Sequence, residues 1–207
     1  MKTLVIDCAT EACSVALFDS GELIAGDWRI LGRGHAEALV PMIAALPENG
    51  RAVRIAVALG PGSFTGLRVG LAAARALALA WEAELVGYAT LDLVAAMAGA
   101  AGAADVAVAM TGGHGEWFVQ SYGRAPRPLS SLTPEQAALV PEHMVAGSQA
   151  EALVALRGHG RALPLWPDAR RFASLPGGAL RHDVQPLYGR APDARLPDNG
   201  KADVLAG

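Results

Sequence analysis

The segment Gly60-Pro61-Gly62-Ser63-Phe64-Thr65-Gly66-Leu67-Arg68 joins a strand-like run to a helix-like one, and its residue types suit the binding of an anion. Three glycines free backbone N–H groups to turn toward one point, Ser63 and Thr65 add hydroxyls, and a helix start contributes positive partial charge. A phosphate would fit against Gly62, Ser63, Thr65 and Gly66. The same residues suit a tight strand-to-helix turn in which Ser63 or Thr65 is the N-cap, and the loop lacks the Gly-Lys-Ser/Thr ending of a P-loop. A second cluster, Asp7-Cys8-Ala9-Thr10-Glu11-Ala12-Cys13-Ser14, sets a carboxylate at the tip of the first strand ahead of a turn. Asp7 can cap that turn and hydrogen-bond Thr10.

Metal chemistry has less to work with. Two histidines four apart would share a helix face, but His35-Ala36-Glu37-Ala38-Leu39 has leucine at the second position. His35 with Glu37 at a helix start therefore reads as a polar cap or an interface contact. His114, His143, His159 and His182 have no partner at ligand spacing. Cys8 and Cys13 are too few for a disulfide framework and match no common zinc knuckle; they read as small buried hydrophobes, with a reactive thiol as the alternative. No catalytic residue and no metal ligand is assigned, and a reducing cytoplasm is the simplest compartment.

The elements that position these residues follow from periodicity. Strand patterns cover 3–7, 13–18 and 23–29, with Asp19-Ser20-Gly21 supplying hairpin turn chemistry. Leu39, Met42, Ile43 and Leu46 recur at i, i+3, i+4, i+7, which predicts a helix from about Gly34-His35, kinked by Pro41. Then come a strand over 54–59, the glycine loop, a helix over 67–81, a short strand over 84–86 and a helix over 91–98. Residues 98–104 read as a linker. Strands over 105–110 and 116–122 begin a second half like the first, which Pro126, Pro128, Pro134, Pro141, Pro164, Pro167 and Pro176 then interrupt. Within that interrupted stretch only a strand at 144–145 and a helix over 149–156 are expected. The plan is that of an α/β chain with an actin-like ATPase (ribonuclease-H-like) fold: a complete N-terminal half over 1–100 and an abbreviated second half over 105–207.

Composition narrows the function classes. Of 207 residues, 52% are hydrophobic and 18% charged, which excludes a disordered tail or a coiled coil. The longest apolar stretches meet Arg68, Arg75 or Asp92 before the roughly eighteen residues a membrane span needs, so no membrane role is expected. The formal charge is −3; residues 1–120 hold 7 basic and 12 acidic side chains (−5), and residues 121–207 hold 10 and 8 (+2). The first part alone is therefore a poor phosphate-backbone binder. Along the 67–81 helix and just past it, Arg68, Arg75 and Glu82 form a narrow polar stripe, while Gly70 and Ala74 would admit a close-packed backbone. An apolar strip formed by His35, Leu39, Met42, Ile43, Leu67, Gly70, Leu71, Ala74 and Ala78 is expected to meet a partner protein, the alternative being complete burial inside the chain.

The stretches 7–17, His35-Ala36-Glu37 with Leu39, Pro41 and Met42, and 60–70 together closely resemble the bacterial TsaB (YeaZ) family. The resemblance is strong over 1–98, continues to Gly115-Glu116, and returns at Pro186-Leu187-Tyr188 with Arg190. It implies an actin-like fold, in which Asp7 and Thr10 hold the places of a magnesium acid and a phosphate-binding turn. It also implies a scaffold rather than a catalyst, acting with TsaD, TsaE and TsaC to form threonylcarbamoyladenosine beside the anticodon of tRNAs. The resemblance makes TsaD the heterodimer partner through the two N-terminal helices, makes a homodimer the state when alone, places ATP or ADP near the TsaD interface, and brings tRNA only through the complex. TsaD holds its metal on a His-x-x-x-His helix, where this chain has His35 and Leu39. The family's Asp-Ala-Arg is replaced by Thr111-Gly112-Gly113-His114. An independent actin-like ATPase or phosphotransferase is the competing reading, and a peptidase a weaker one, since no Ser–His or His-x-x-x-His pair is evident.

Overall fold

The computed structural model describes residues 1–99 and 105–189. Most of the linker read at 98–104, and Arg190, lie outside the described residues.

The first half is a five-stranded sheet. Strands β1 (Lys2–Asp7), β2 (Ala12–Asp19) and β3 (Glu22–Ile30) form an antiparallel meander, and β4 (Arg54–Ala58) and β5 (Glu84–Tyr88) extend it in parallel, in the order β3-β2-β1-β4-β5. Ser20 and Gly21 take positive φ between the paired Asp19 and Glu22, so a two-residue turn closes the second hairpin. Helices α1 (His35–Ala44) and α2 (Phe64–Trp81) lie on one face, and α3 (Thr90–Met97) follows β5. Pro41 leaves α1 one unbroken element. Leu4, Ile6, Val15 and Leu17 join the core under α1 and α2, while Val5, Ala16 and Phe18, alternating with them, join a second core on the other face. A sheet covered on both faces explains why β1 and β2 are apolar almost throughout.

The second half repeats this topology. Strands β6 (Val106–Thr111), β7 (Trp117–Tyr122), β8 (Arg127–Leu132), β9 (Met144–Ala146) and β10 (Arg161–Leu163) run in the order β8-β7-β6-β9-β10, antiparallel across the first two pairs and parallel across the last two. The abbreviation falls on β9 and β10, three residues each, and on the helices: α4 (Pro134–Ala137) and α5 (Ala150–Arg157) stand where the first half has α1 and α2. Two strands not expected from the sequence are present. β8 accommodates Pro128 because it is an edge strand, where a missing N–H costs no ladder bond, and β10 is too short for a periodicity to show.

Helix α3 lies between the halves. Leu93 joins the core with Val5 and Tyr88, Leu91 and Val94 join that of Val106 and Met110, and the Tyr122 hydroxyl donates to Asp92 at 2.8 Å.

From Pro164 the chain leaves the second sheet and returns over the first. The Trp28 indole N–H donates to the Pro167 carbonyl at 3.1 Å, the Ala169 N–H to Ser14 Oγ at 3.0 Å, and Arg75 to the Val184 carbonyl at 2.8 Å. Gly87 and Arg181 exchange backbone hydrogen bonds at 2.8 Å, and the Leu187 N–H reaches the Leu59 carbonyl at 2.7 Å. The range 105–207 read from the sequence as the second half thus includes a strap, 164–189, that packs on the first.

Candidate functional site

Asp7 ends β1 and is fully buried. Its carboxylate accepts the Ala9 N–H at 3.0 Å and the Tyr88 hydroxyl at 3.0 Å. Above it sits the strap: Ala169 is fully buried, and the Phe172 ring stands 5.6 Å from Tyr88 and 5.9 Å from Phe18. Asp168 is held on both carboxylate oxygens by Arg170, whose stem crosses Gly26 on β3; a Cβ there would lie 2.6 Å from Arg170 Cγ. Burial pushes the Asp7 carboxyl up to about 7, opposed by the hydrogen bonds from Ala9 and Tyr88 and reinforced by the charge of Asp168. The same burial, with the Asp7 charge alongside, pushes the Tyr88 hydroxyl well above its usual range. This is a sealed acid with its own internal donors. Thr10 does not partner it, since Thr10 Oγ1 accepts from the Ala12 N–H at 3.2 Å.

The glycine loop is likewise turned inward. The Ser63 N–H donates to the Ala9 carbonyl at 2.7 Å, and Ser63 Oγ caps α2 by accepting from the Gly66 N–H at 3.3 Å. Helix α2 therefore begins at Phe64, earlier than the expected Leu67, and takes Thr65 and Gly66 into its first turn. A Cβ on Gly62 would lie 1.9 Å from the Ala9 oxygen, and one on Gly66 2.1 Å from the Cys8 oxygen. These glycines let the α2 N-terminus rest on the β1–β2 turn, so the close approach they permit is to this chain's own carbonyls. Gly62→Ala should cost more than about 3 kcal/mol, because the obstructing atom is backbone. Gly113→Ala, with nothing within 4 Å, should stay within about 1 kcal/mol; chemical denaturation of both variants checks the contrast.

The nine residues read as a partner strip lie on the inward faces of their helices. His35, Leu39, Met42 and Ile43 of α1, and Leu67, Gly70, Leu71, Ala74 and Ala78 of α2, are all buried. The ring nitrogen Nε2 of His35 is 2.8 Å from the Thr10 carbonyl, and a Cβ on Gly70 would meet Cys8 and Ile6 of the sheet side. At about 100° per residue, Arg68 and Arg75 mark the solvent side of α2, and Ala72, Ala76, Leu79 and Ala80 share it. Leu79 is 83% exposed, and Val40 on α1 is 62% exposed, beside exposed Pro41 and Ala44. Phe64, half exposed, lies under the Arg68 guanidinium at 3.7 Å and 5.9 Å from the Tyr188 ring. These outward residues were missed although the arginines in the sequence marked their side. By length and composition α2 could cross a membrane; here it is the crossover helix between β4 and β5, with its inner face on the sheet.

A family model described as TsaD, tRNA N6-adenosine threonylcarbamoyltransferase, matches residues 29–164. The Escherichia coli protein named tRNA threonylcarbamoyladenosine biosynthesis protein TsaB is 33% identical over 185 residues, covering 84% of this chain and 78% of its own. The chain belongs to the TsaB (YeaZ) family. A Bacillus subtilis TsaB is 23% identical over 90% of this chain and 84% of its own. Among solved structures, YeaZ from Pseudomonas aeruginosa superposes with a TM-score of 0.73 at 29% identity, over 90% of this chain and 99% of that one. The ethanolamine utilization protein EutJ from Carboxydothermus hydrogenoformans shares the fold, at a TM-score of 0.53 and 15% identity over 85% of this chain and 90% of its own.

The segment 111–114, where the sequence departs from the TsaB pattern, begins at the end of β6. Thr111 ends β6, its N–H donates to Ser148 Oγ at 3.0 Å, and its hydroxyl accepts from the Gln149 amide at 2.9 Å. The TsaB-like Pro186-Leu187-Tyr188 falls on the strap, where it meets Leu59 and Phe64.

Proposed function

We propose that the chain is a docking and scaffolding subunit for threonylcarbamoyladenosine formation on tRNA, presenting the solvent face of α1 and α2 to TsaD. The observation that carries this reading is the exposure of Leu79 on α2 and of Val40 on α1, two helices on the same face of the sheet, in a chain of the TsaB family. Exposed alanines beside Leu79 leave room for a second helix pair to approach closely. TsaE and TsaC complete the system in this reading, tRNA is reached through the complex, and the same face closes a homodimer when TsaD is absent. The cytoplasm is its compartment.

Non-catalytic status is part of the proposal. Asp7, at the acid position of an actin-like ATPase, is enclosed by Tyr88 and Phe172 with its oxygens already engaged. Gly62 and Gly66 face carbonyls, and among the predicted phosphate contacts only Ser63 and Thr65 are exposed. These residues do not fit a magnesium nucleotide, so we place ATP or ADP with the partners and route no step through it here. The sealed acid also argues against the independent ATPase.

The test is reconstitution of the modification from TsaC, TsaD, TsaE, tRNA, threonine, bicarbonate and ATP, with and without this chain. Product should depend on the chain, while the chain alone turns over no ATP. ATP hydrolysis by the isolated chain that is lost in Asp7→Asn would overturn the reading.

A further inference from the structure

The β1–β2 pairing continues from Lys2↔Asp19 to Asp7↔Ser14, and one more step along it sets Cys8 opposite Cys13. Directly opposed residues of an antiparallel pair have Cα atoms about 4.5–5.5 Å apart, within the roughly 4.4–6.8 Å that a disulfide spans. The two thiols lie on the same side of the hairpin, in the core under α1 and α2, with Sγ to Sγ 3.6 Å. Both are reduced and buried. We infer that Cys8 and Cys13 are a redox-responsive pair that closes into an intrachain cross-strand disulfide on exposure to a hydroperoxide, clamping the turn on which the α2 N-terminus rests.

Closure brings the sulfurs to about 2.05 Å by side-chain rotation. Gly70 faces Cys8 without a side chain, its ideal Cβ position 3.8 Å from Cys8 Sγ, which leaves room for that rotation. The hydrogen bond between the thiols, together with burial, pushes the Cys8 thiol up; the same hydrogen bond draws the Cys13 thiol down, helped by Arg29 and opposed by burial and the charges of Asp7 and Asp27. With the Cys8 thiol 3.6 Å away as its hydrogen-bond partner, Cys13 is taken as the first nucleophile of the proposed pair. Its thiolate attacks a peroxide oxygen, the O–O bond breaks, and the departing hydroxide takes a proton to become water, leaving a sulfenic acid at Cys13. The Cys8 sulfur then displaces that hydroxyl, the S–S bond forms, and a second water leaves; the two electrons come from the two thiols.

The experiment treats the reduced full chain with hydrogen peroxide, unfolds it in denaturant with iodoacetamide, and reads the intact mass. The expected product is a monomer lighter by two hydrogens and carrying no alkyl group. Cys8→Ser, which keeps a hydroxyl donor beside Cys13 and cannot form the bridge, should instead accumulate a sulfenic acid at Cys13 that dimedone traps. Two alkylated thiols after peroxide, a disulfide-linked dimer, or stepwise oxygen addition to separate thiols would each overturn the inference.

Discussion

Asp7→Asn should raise the stability of the folded chain above pH 7 by as much as about 4 kcal/mol. The carboxyl is held at about 7 when folded, against 3.8 for the free group, because it is fully buried. A folded pKa above the unfolded one means that the native state holds its proton more tightly. The Asp7 contribution is therefore complete below pH 3.8, is lost as pH rises toward 7, and is a fixed penalty beyond. Asparagine keeps an acceptor for the Ala9 N–H and does not ionise, and the Tyr88 hydroxyl can turn to the Ile6 carbonyl, 3.4 Å away. Chemical denaturation from pH 4 to 9 should show the variant and the parent converging at acid pH and separating up to neutrality. Parallel profiles would mean that Asp7 is ionised in the fold with solvent or a cation beside it, as an ATPase would need.

Leu79→Glu and Leu71→Arg, two charges placed eight residues apart on α2, should fail in opposite ways. Leu79 is 83% exposed and Leu71 4%. Glutamate at 79 should leave stability within about 0.5 kcal/mol, as surface changes do, and weaken pairing with TsaD by roughly a hundredfold, because a desolvated charge at the centre of an apolar contact goes unpaired. Arginine at 71 drives a guanidinium between α2 and the sheet beside Val57 and Leu59. It should unfold the chain before pairing can be measured. Circular dichroism and size-exclusion chromatography with TsaD separate the two outcomes. Co-elution of Leu79→Glu at parental affinity would move the contact elsewhere.

The first half was largely legible because its signals are local. Period-two runs, Asp19-Ser20-Gly21 and the i, i+3, i+4, i+7 set from Leu39 each specify their element without help from distant chain. The strap was not legible. Its anchors are single hydrogen bonds across great sequence separation, Ala169 to Ser14 over 155 residues and Trp28 to Pro167 over 139, and its prolines hide any period. Without the strap, Asp7 reads as an open acid; with it, Asp7 is enclosed. The glycine loop was ambiguous for a related reason, since a loop that admits a phosphate and one that admits a carbonyl need the same missing side chains. For the partner strip the difference is one of angle rather than of element, since its nine residues are buried on the inward faces of α1 and α2. Helix α2 is apolar on nearly all sides, so Leu71, Ala74 and Ala78 offer as good an outside as Leu79 does, whereas Arg68 and Arg75 point to the side that Leu79 shares.

Reconstituted threonylcarbamoyladenosine formation, with the parental chain replaced in turn by Asp7→Asn and by Leu79→Glu, tests the scaffold account most directly. Full product is expected with Asp7→Asn, since the sealed acid performs no chemistry, and product near the level without the chain with the folded Leu79→Glu. Loss of product with a folded Asp7→Asn, together with full product from Leu79→Glu, would contradict it.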